Sequence, residues 1–178
     1  QIACWKGAPA LACGNAMVFK PSETTTLCAL KVAEILVEAG APPGLFNVIQ
    51  GRGDVGAKLI ADPRIAKVSF TGETVTGTAI MQHAAAGVRD VSFELGGKNA
   101  GVVFADADFD QAADGITRAI FANCGQVCLG TERVYVERPI FDRFVEALKE
   151  RAEGFKTGIP SDPSTDLGPM VSSQQRDK

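Results

Sequence analysis

Short strand-like runs alternate with helical ones along nearly the whole chain, joined by brief Gly- and Pro-rich connections. That alternation restricts the fold more than any other feature, because it is the pattern of a parallel sheet covered by helices on both faces, an α/β Rossmann-like architecture. Residues 16–19 form an apolar run that ends at Lys20-Pro21. Ser22 is placed to cap a helix over residues 24–39, with Leu27, Leu30 and Ile35 on one side and Lys31, Glu34 and Glu38 on another. Residues 45–49 are the next strand. The glycine loop Gly51-Arg52-Gly53-Asp54-Val55-Gly56 then opens a short helix that must stop before Asp62-Pro63, since a residue preceding proline avoids helical angles. A strand over residues 67–71, a helix to about residue 86 and a strand over residues 90–95 follow, closed by Gly96-Gly97.

Beyond Lys98 the pattern restarts: strand 99–104, helix 109–122, an interruption at residues 123–128, strand 133–136, then a helix over residues 140–152 with Phe141, Phe144, Val145 and Leu148 on one stripe. A loop rich in Pro, Asp and Ser spans residues 158–169, and another helix begins at Val171. Neither end reads as a natural terminus. The pattern divides the chain into a first α/β unit, residues 1–96, and the opening of a second, residues 97–178.

Composition excludes several classes. Lys and Arg total 18 against 21 Asp and Glu over 178 residues, a net charge of −3. That balance gives no basic field for nucleic acid and no polycationic face for a membrane surface. No apolar run approaches the ~18–20 residues of a membrane helix. The five cysteines (Cys4, Cys13, Cys28, Cys124 and Cys128) form an odd, unframed set that points to a reducing cytoplasm. Cys124 and Cys128 have no second Cys or His pair to complete a metal site. His83, the single histidine, lies in an Ala-rich helix and reads as a surface residue.

In a parallel α/β sheet, ligands sit beyond the carboxyl ends of the strands. Residues 20–23, 51–56, 71–73 and 94–97 are the segments in question. The glycine loop fits G-x-G-x-x-G, a pattern that equally suits a structural β–α turn, and Glu73 stands near the distance expected of a ribose-binding acid or serves as a helix-start acid. Lys20 and Glu23 form either a pair for a ribose diol or a capping turn with a solvated lysine. Cys128, in Gly125-Gln126-Val127-Cys128-Leu129-Gly130, is either a nucleophile beside backbone amides or a buried small hydrophobe. Glu94 is either a general base raised in pKa by desolvation or a buried partner of Lys98 or Arg133.

Phe93-Glu94-Leu95-Gly96-Gly97-Lys98 and Asn123-x-Gly125-Gln126-x-Cys128, whose Cys128 lies 34 residues after Glu94, resemble the two active-site signatures of the aldehyde dehydrogenase superfamily. The resemblance extends over the whole chain, with Lys20-Pro21-Ser22-Glu23, Phe70-Thr71-Gly72-Glu73 and Gly168-Pro169 in the same order. It implies a partial aldehyde dehydrogenase fold: the later part of the NAD-binding domain, then the first part of a catalytic domain. It implies NAD as cofactor, an aldehyde as substrate, Cys128 as nucleophile and Glu94 as the base that activates water. Cofactor contacts are implied for Lys20, Ser22, Glu23, Gly53, Phe70, Thr71, Gly72, Glu73 and Leu95, although Glu73 stands where the family most often has serine. An oxyanion-hole asparagine is implied just before Gln1 and a nicotinamide-ribose glutamate beyond Lys178, and the full-length protein is expected to be a homo-oligomer, dimer or tetramer. The strings at residues 70–74 and 123–138 look like those of enzymes for muconic-type semialdehydes in aromatic breakdown. Betaine- and amino-aldehyde dehydrogenases share much of them, and a non-catalytic protein on the same fold is the alternative outside enzymes.

Overall fold

A computed structural model describes residues 2–177. The chain divides into two compact units, Gln1–Leu95 and Gly96–Lys178. The first opens with α1 (Ile2–Ala12) and contains two β–α–β units: β1 (Met17–Phe19), α2 (Thr26–Glu38) and β2 (Phe46–Val48), then, after α3 (Gly53–Ala61), β3 (Lys67–Thr71), α4 (Thr74–Ala85) and β4 (Asp90–Glu94). The second holds β5 (Ala100–Val103), α5 (Phe109–Phe121), β6 (Arg133–Val136), α6 (Phe141–Glu153) and the short α7 (Ser173–Arg176).

Every ladder among the described strands is parallel: β1 with β2, β3 with β4, β5 with β6. The expected single sheet is therefore present as separate two-stranded ladders. The reason is local: a helical crossover returns the chain to a neighbouring parallel position, and nothing in that rule joins one pair to the next.

Several expectations about the first unit change. The helix α1 was not anticipated, because Pro9 lies inside it and no clean apolar stripe announces it. Its Gly7 is buried against β1 and β2, where an added Cβ would meet Met17 Sδ at 3.3 Å. Ser22 does not cap α2. Its carbonyl accepts from Thr25 N at 3.0 Å and its hydroxyl pairs with that of Thr24 at 3.0 Å, a local turn that competes with helix and delays it to Thr26. The apolar side of α2 is also not packed as expected. Leu27 is 79% exposed and Ile35 52%, while Ala29 is the helix's buried residue, because three-residue strands offer a narrow platform. The stop at Asp62 holds: its ψ is extended at 123°, and its carboxylate accepts from Arg64 N at 2.9 Å. The Arg64 guanidinium, through hydrogen bonding first, draws the Asp62 pKa down to about 2.

The second unit packs around Phe144, Ala113 and Val103, with Phe109, Ile116, Val134 and Leu148 partly buried against them. Asp108 begins α5 by accepting from Gln111 N at 3.0 Å. On α6, Phe144 is fully buried edge-on to Phe109 at 5.7 Å, and Leu148 joins it. Phe141 and Val145, expected on the same stripe, flank it and stay 46% and 42% exposed. Phe144→Ala should therefore destabilise this unit by about 3–5 kcal/mol, whereas Phe141→Ala should cost less than about 1 kcal/mol. Urea denaturation of the full-length protein measures both, and equal losses would contradict the packing.

Candidate active site

The parallel register places the carboxyl ends of paired strands side by side. Beyond β1, the Lys20 ammonium donates to Pro21 O at 2.8 Å and to Gly51 O at 2.9 Å. The half-buried lysine thus ties the end of β1 to the glycine loop after β2, and it is not the solvated side chain of a capping turn. Glu23 lies three residues on, exposed, with no hydrogen bond or ion pair to the described residues. Ser22 is exposed beside it.

The glycines of the loop have different roles. Gly51, at φ +150°, is where a Cβ would lie 2.3 Å from Val55 Cγ2. Gly53 is the first residue of α3, and a Cβ there would meet nothing within 4 Å. The close turn belongs to Gly51, and the open space to Gly53.

Residues 70–73 and Glu94 come together. Thr71 pairs with Glu94 and Phe70 with Phe93 in the β3–β4 register, and Gly72 N donates to Glu94 O at 3.0 Å. The Phe70 ring folds back over Gly72, where a Cβ would meet its Cζ at 2.6 Å, and stands edge-on to Phe93 at 6.4 Å. Glu73 sits at the start of α4. Leu95 packs on α4, its Cδ2 2.9 Å from where a Cβ on Gly77 would lie.

Glu94 departs from expectation. Its side chain is 56% exposed, so the desolvated setting is absent, and its partner is neither Lys98 nor Arg133 but Lys6 of α1, whose Nζ is 3.5 Å from Oε1. Lys98 pairs with Glu132 instead. Lys6 could not be foreseen, since nothing in the sequence marks α1 as packing there. With the Glu94 end open to solvent and the Lys6 side chain 24% exposed, the pair contributes little to stability, ~0–1 kcal/mol.

Cys128 is exposed in the second unit. The segment before it is unusual: Asn123 (φ 51°), Cys124 (φ 58°) and Gly125 (φ 73°) are consecutive left-handed residues. Glycine adopts that region freely and asparagine tolerates it, but cysteine is strained there. Hydrogen bonds hold the turn closed. Asn123 Nδ2 donates to Gln126 O at 3.2 Å and Gln126 Nε2 to Asn123 O at 3.1 Å, while Gln126 Oε1 accepts from Val171 N at 3.0 Å. The Cys124 thiol donates to Gly168 O at 3.1 Å. Cys124 is thus turned toward the 168–171 segment, and His83 is exposed with Nδ1 2.9 Å from Ala79 O. Asn99, read from the sequence only as a strand start, also contacts this loop.

One observation bears on ligand binding. Thr71 Oγ1, at the carboxyl end of β3, is buried and has no hydrogen-bond partner among the described residues. Buried hydroxyls are nearly always paired, so this atom suits a polar group of a ligand beyond the strand ends, where doubly wound sheets bind nucleotides.

Residues 1–178 match the aldehyde dehydrogenase family, and the chain belongs to it. It is 57% identical over 176 residues to a 2-hydroxymuconic semialdehyde dehydrogenase of Pseudomonas putida, covering 98% of this chain and 36% of that protein. A betaine aldehyde dehydrogenase of Cereibacter sphaeroides is 55% identical over 178 residues, covering 100% of this chain and 37% of that one. Among solved structures, betaine aldehyde dehydrogenase of Staphylococcus aureus in complex with NAD+ superposes with a TM-score of 0.94 at 41% identity, covering 98% of this chain and 35% of that chain. The chain therefore spans about a third of the length of the proteins it matches. No described helix is long and apolar enough to cross a membrane.

The two loop glycines make a direct test. Gly51→Ala should lower stability by about 1–3 kcal/mol through strain and collision, while Gly53→Ala, at a helix start in open space, should be neutral or slightly stabilising. Thermal melts of the two variants decide between them; equal effects would remove the distinction.

Proposed function

We propose that the full-length protein oxidises an aldehyde to a carboxylate with NAD, residues 1–96 forming the later part of the NAD-binding domain and residues 97–178 the first part of the catalytic domain. Membership of the family supports the reaction class, and Cys128 is the observation that carries it. Its thiol is exposed on a loop whose strained backbone is held by side-chain hydrogen bonds, more than a filler cysteine requires.

In this reading Cys128, as thiolate, adds to the aldehyde carbon and gives a thiohemiacetal. NAD, when bound, would accept the hydride that the thiohemiacetal carbon gives up as its C–H bond breaks, and Cys128 is left carrying a thioester. Glu94, at the carboxyl end of β4, takes a proton from the water that attacks the thioester, and the carboxylate product leaves as the Cys128 sulfur is released. The exposure of Glu94 supports access to water.

Lys20 and Glu23 are assigned to the adenosine ribose, with Ser22 and Gly53 beside them. Phe70, Thr71, Gly72, Glu73 and Leu95 line the cofactor from β3, α4 and β4. The Thr71 hydroxyl, without a hydrogen-bond partner among the described residues, and the open space at Gly53 support this placement. The names of the relatives support two substrate readings. A 2-hydroxymuconic semialdehyde-type compound is favoured by the 57% relative, and a betaine- or amino-aldehyde by the 55% one. Turnover of anionic against cationic aldehydes separates them. A homo-oligomer is proposed for the full-length protein because the family resemblance implies one, and the five free thiols fit the cytoplasm.

Three experiments on the full-length protein test the assignment. Cys128→Ala should abolish turnover and leave NAD binding nearly intact, while Cys124→Ala keeps most activity. Glu94→Gln should give a burst of NADH near one equivalent per site, then slow turnover, with an acyl adduct on Cys128 visible by intact mass. A slowed burst without adduct would make Glu94 an activator of the thiol, and normal turnover would make it a bystander. Glu23 sets cofactor choice by facing a 2′-phosphate with like charge. The wild type should prefer NAD to NADP in kcat/KM, Glu23→Gln should narrow the preference by about tenfold or more, and equal efficiency with both cofactors in the wild type would refute the role.

A further inference from the structure

We infer that Asn99 is the positioning residue for Cys128. The inference rests on the nucleophile reading only for its consequence in turnover; the contact itself is in the structure. The Asn99 side-chain amide donates from Nδ2 to the carbonyl oxygen of Cys128 at 2.6 Å and to that of Gly130 at 3.0 Å. Its own carbonyl accepts from Glu132 N at 3.0 Å and Arg133 N at 3.1 Å. One residue at the entrance to β5 therefore binds the strand-side end of the loop at four points, and the neighbouring Lys98–Glu132 ion pair reinforces it.

The chemistry of the residue fits the task. A primary amide has two N–H donors on one nitrogen, so it can satisfy two carbonyls that converge on it. A hydroxyl has one hydrogen, and a carboxylate has none. The other end of the loop is fixed separately, by the Asn123–Gln126 pair and by Gln126 with Val171. Between these anchors the Cys128 side chain stays exposed, so its direction is set by the backbone at its own carbonyl. Ladder pairing of Ala100 with Arg133 keeps Asn99 in register with the loop's exit. The described hydrogen bonds of Asn99 go to the main chain around Cys128, so it acts through the backbone of that residue.

Asn99→Asp is the sharpest variant, because it keeps the shape but turns oxygen atoms toward two carbonyl oxygens. In the full-length protein it should lower kcat by about tenfold to hundredfold, the scale of an ångström-level misplacement. The alkylation rate of Cys128 by iodoacetamide, read at that peptide by mass spectrometry, should change in parallel, while KM for NAD moves less than about twofold. Asn99→Ser, which keeps one donor, should fall between Asp and wild type. If the Asp variant does not fold, the Ser variant decides alone. Unchanged kcat and unchanged Cys128 alkylation in folded protein would overturn the inference, as would a lowered melting temperature with normal kcat per folded site. Failure of the nucleophile reading has a different signature: Cys128→Ala would retain turnover, while the alkylation rate at Cys128 would still respond to Asn99→Asp.

Discussion

Parallel strand pairing is the constraint on which the candidate site depends. When two strands run the same way, their carboxyl ends fall at the same end of the ladder, and so do the loops that follow them. Lys20 after β1 reaches Gly51 after β2 for this reason, and Thr71 at the end of β3 lies opposite Glu94 at the end of β4. An antiparallel pairing of the same strands would place each of these partners at opposite ends. The crossover helices α2, α4 and α5 make the parallel return possible. They are packed through small buried residues, among them Ala29, Gly77, Ala84 and Ala113, which let helix and strand approach closely.

The loop before Cys128 shows how strain and anchoring balance. Left-handed non-glycine residues cost ~1–3 kcal/mol each, and a single neutral hydrogen bond returns only ~0.5–1.5 kcal/mol net. Holding Asn123 and Cys124 in that region therefore takes several bonds acting together. The loop has them at both ends: the Asn123–Gln126 pair with Val171 on one side, and Asn99 on the other. A backbone kept against its own preference by contacts from distant parts of the chain is a fixed one, and the role proposed for Cys128 needs a backbone fixed in this way.

Strand and helix positions were legible because they follow from periodicity and punctuation over a few residues. β3 and β6 occupy the residues their patterns indicate, and Asp62-Pro63 ends α3 by a steric rule that needs no tertiary partner. Where reading failed, a competing interaction had prevailed. Ser22 had a rival turn through Thr24 and Thr25, and α2 presented Leu27 and Ile35 to a platform too narrow to cover them. Glu94 looked buried because Val91, Phe93 and Leu95 surround it in sequence. In a strand, however, alternate residues face opposite sides, and the end of a strand is open to solvent.

The sequence by itself determined the alternation of elements, the parallel α/β class, the motifs at the strand ends and, through them, the family. These depend on residue type and spacing within short windows, where backbone sterics and hydrophobic period act alone. Only the tertiary structure decided the partners: Lys6 for Glu94, Gly51 for Lys20, and Asn99 for the carbonyls of Cys128 and Gly130. Those pairings join residues between 29 and 88 positions apart. Many donors and acceptors along the chain are chemically competent for each of them, and it is the path of the folded backbone that brings one donor within reach of one acceptor.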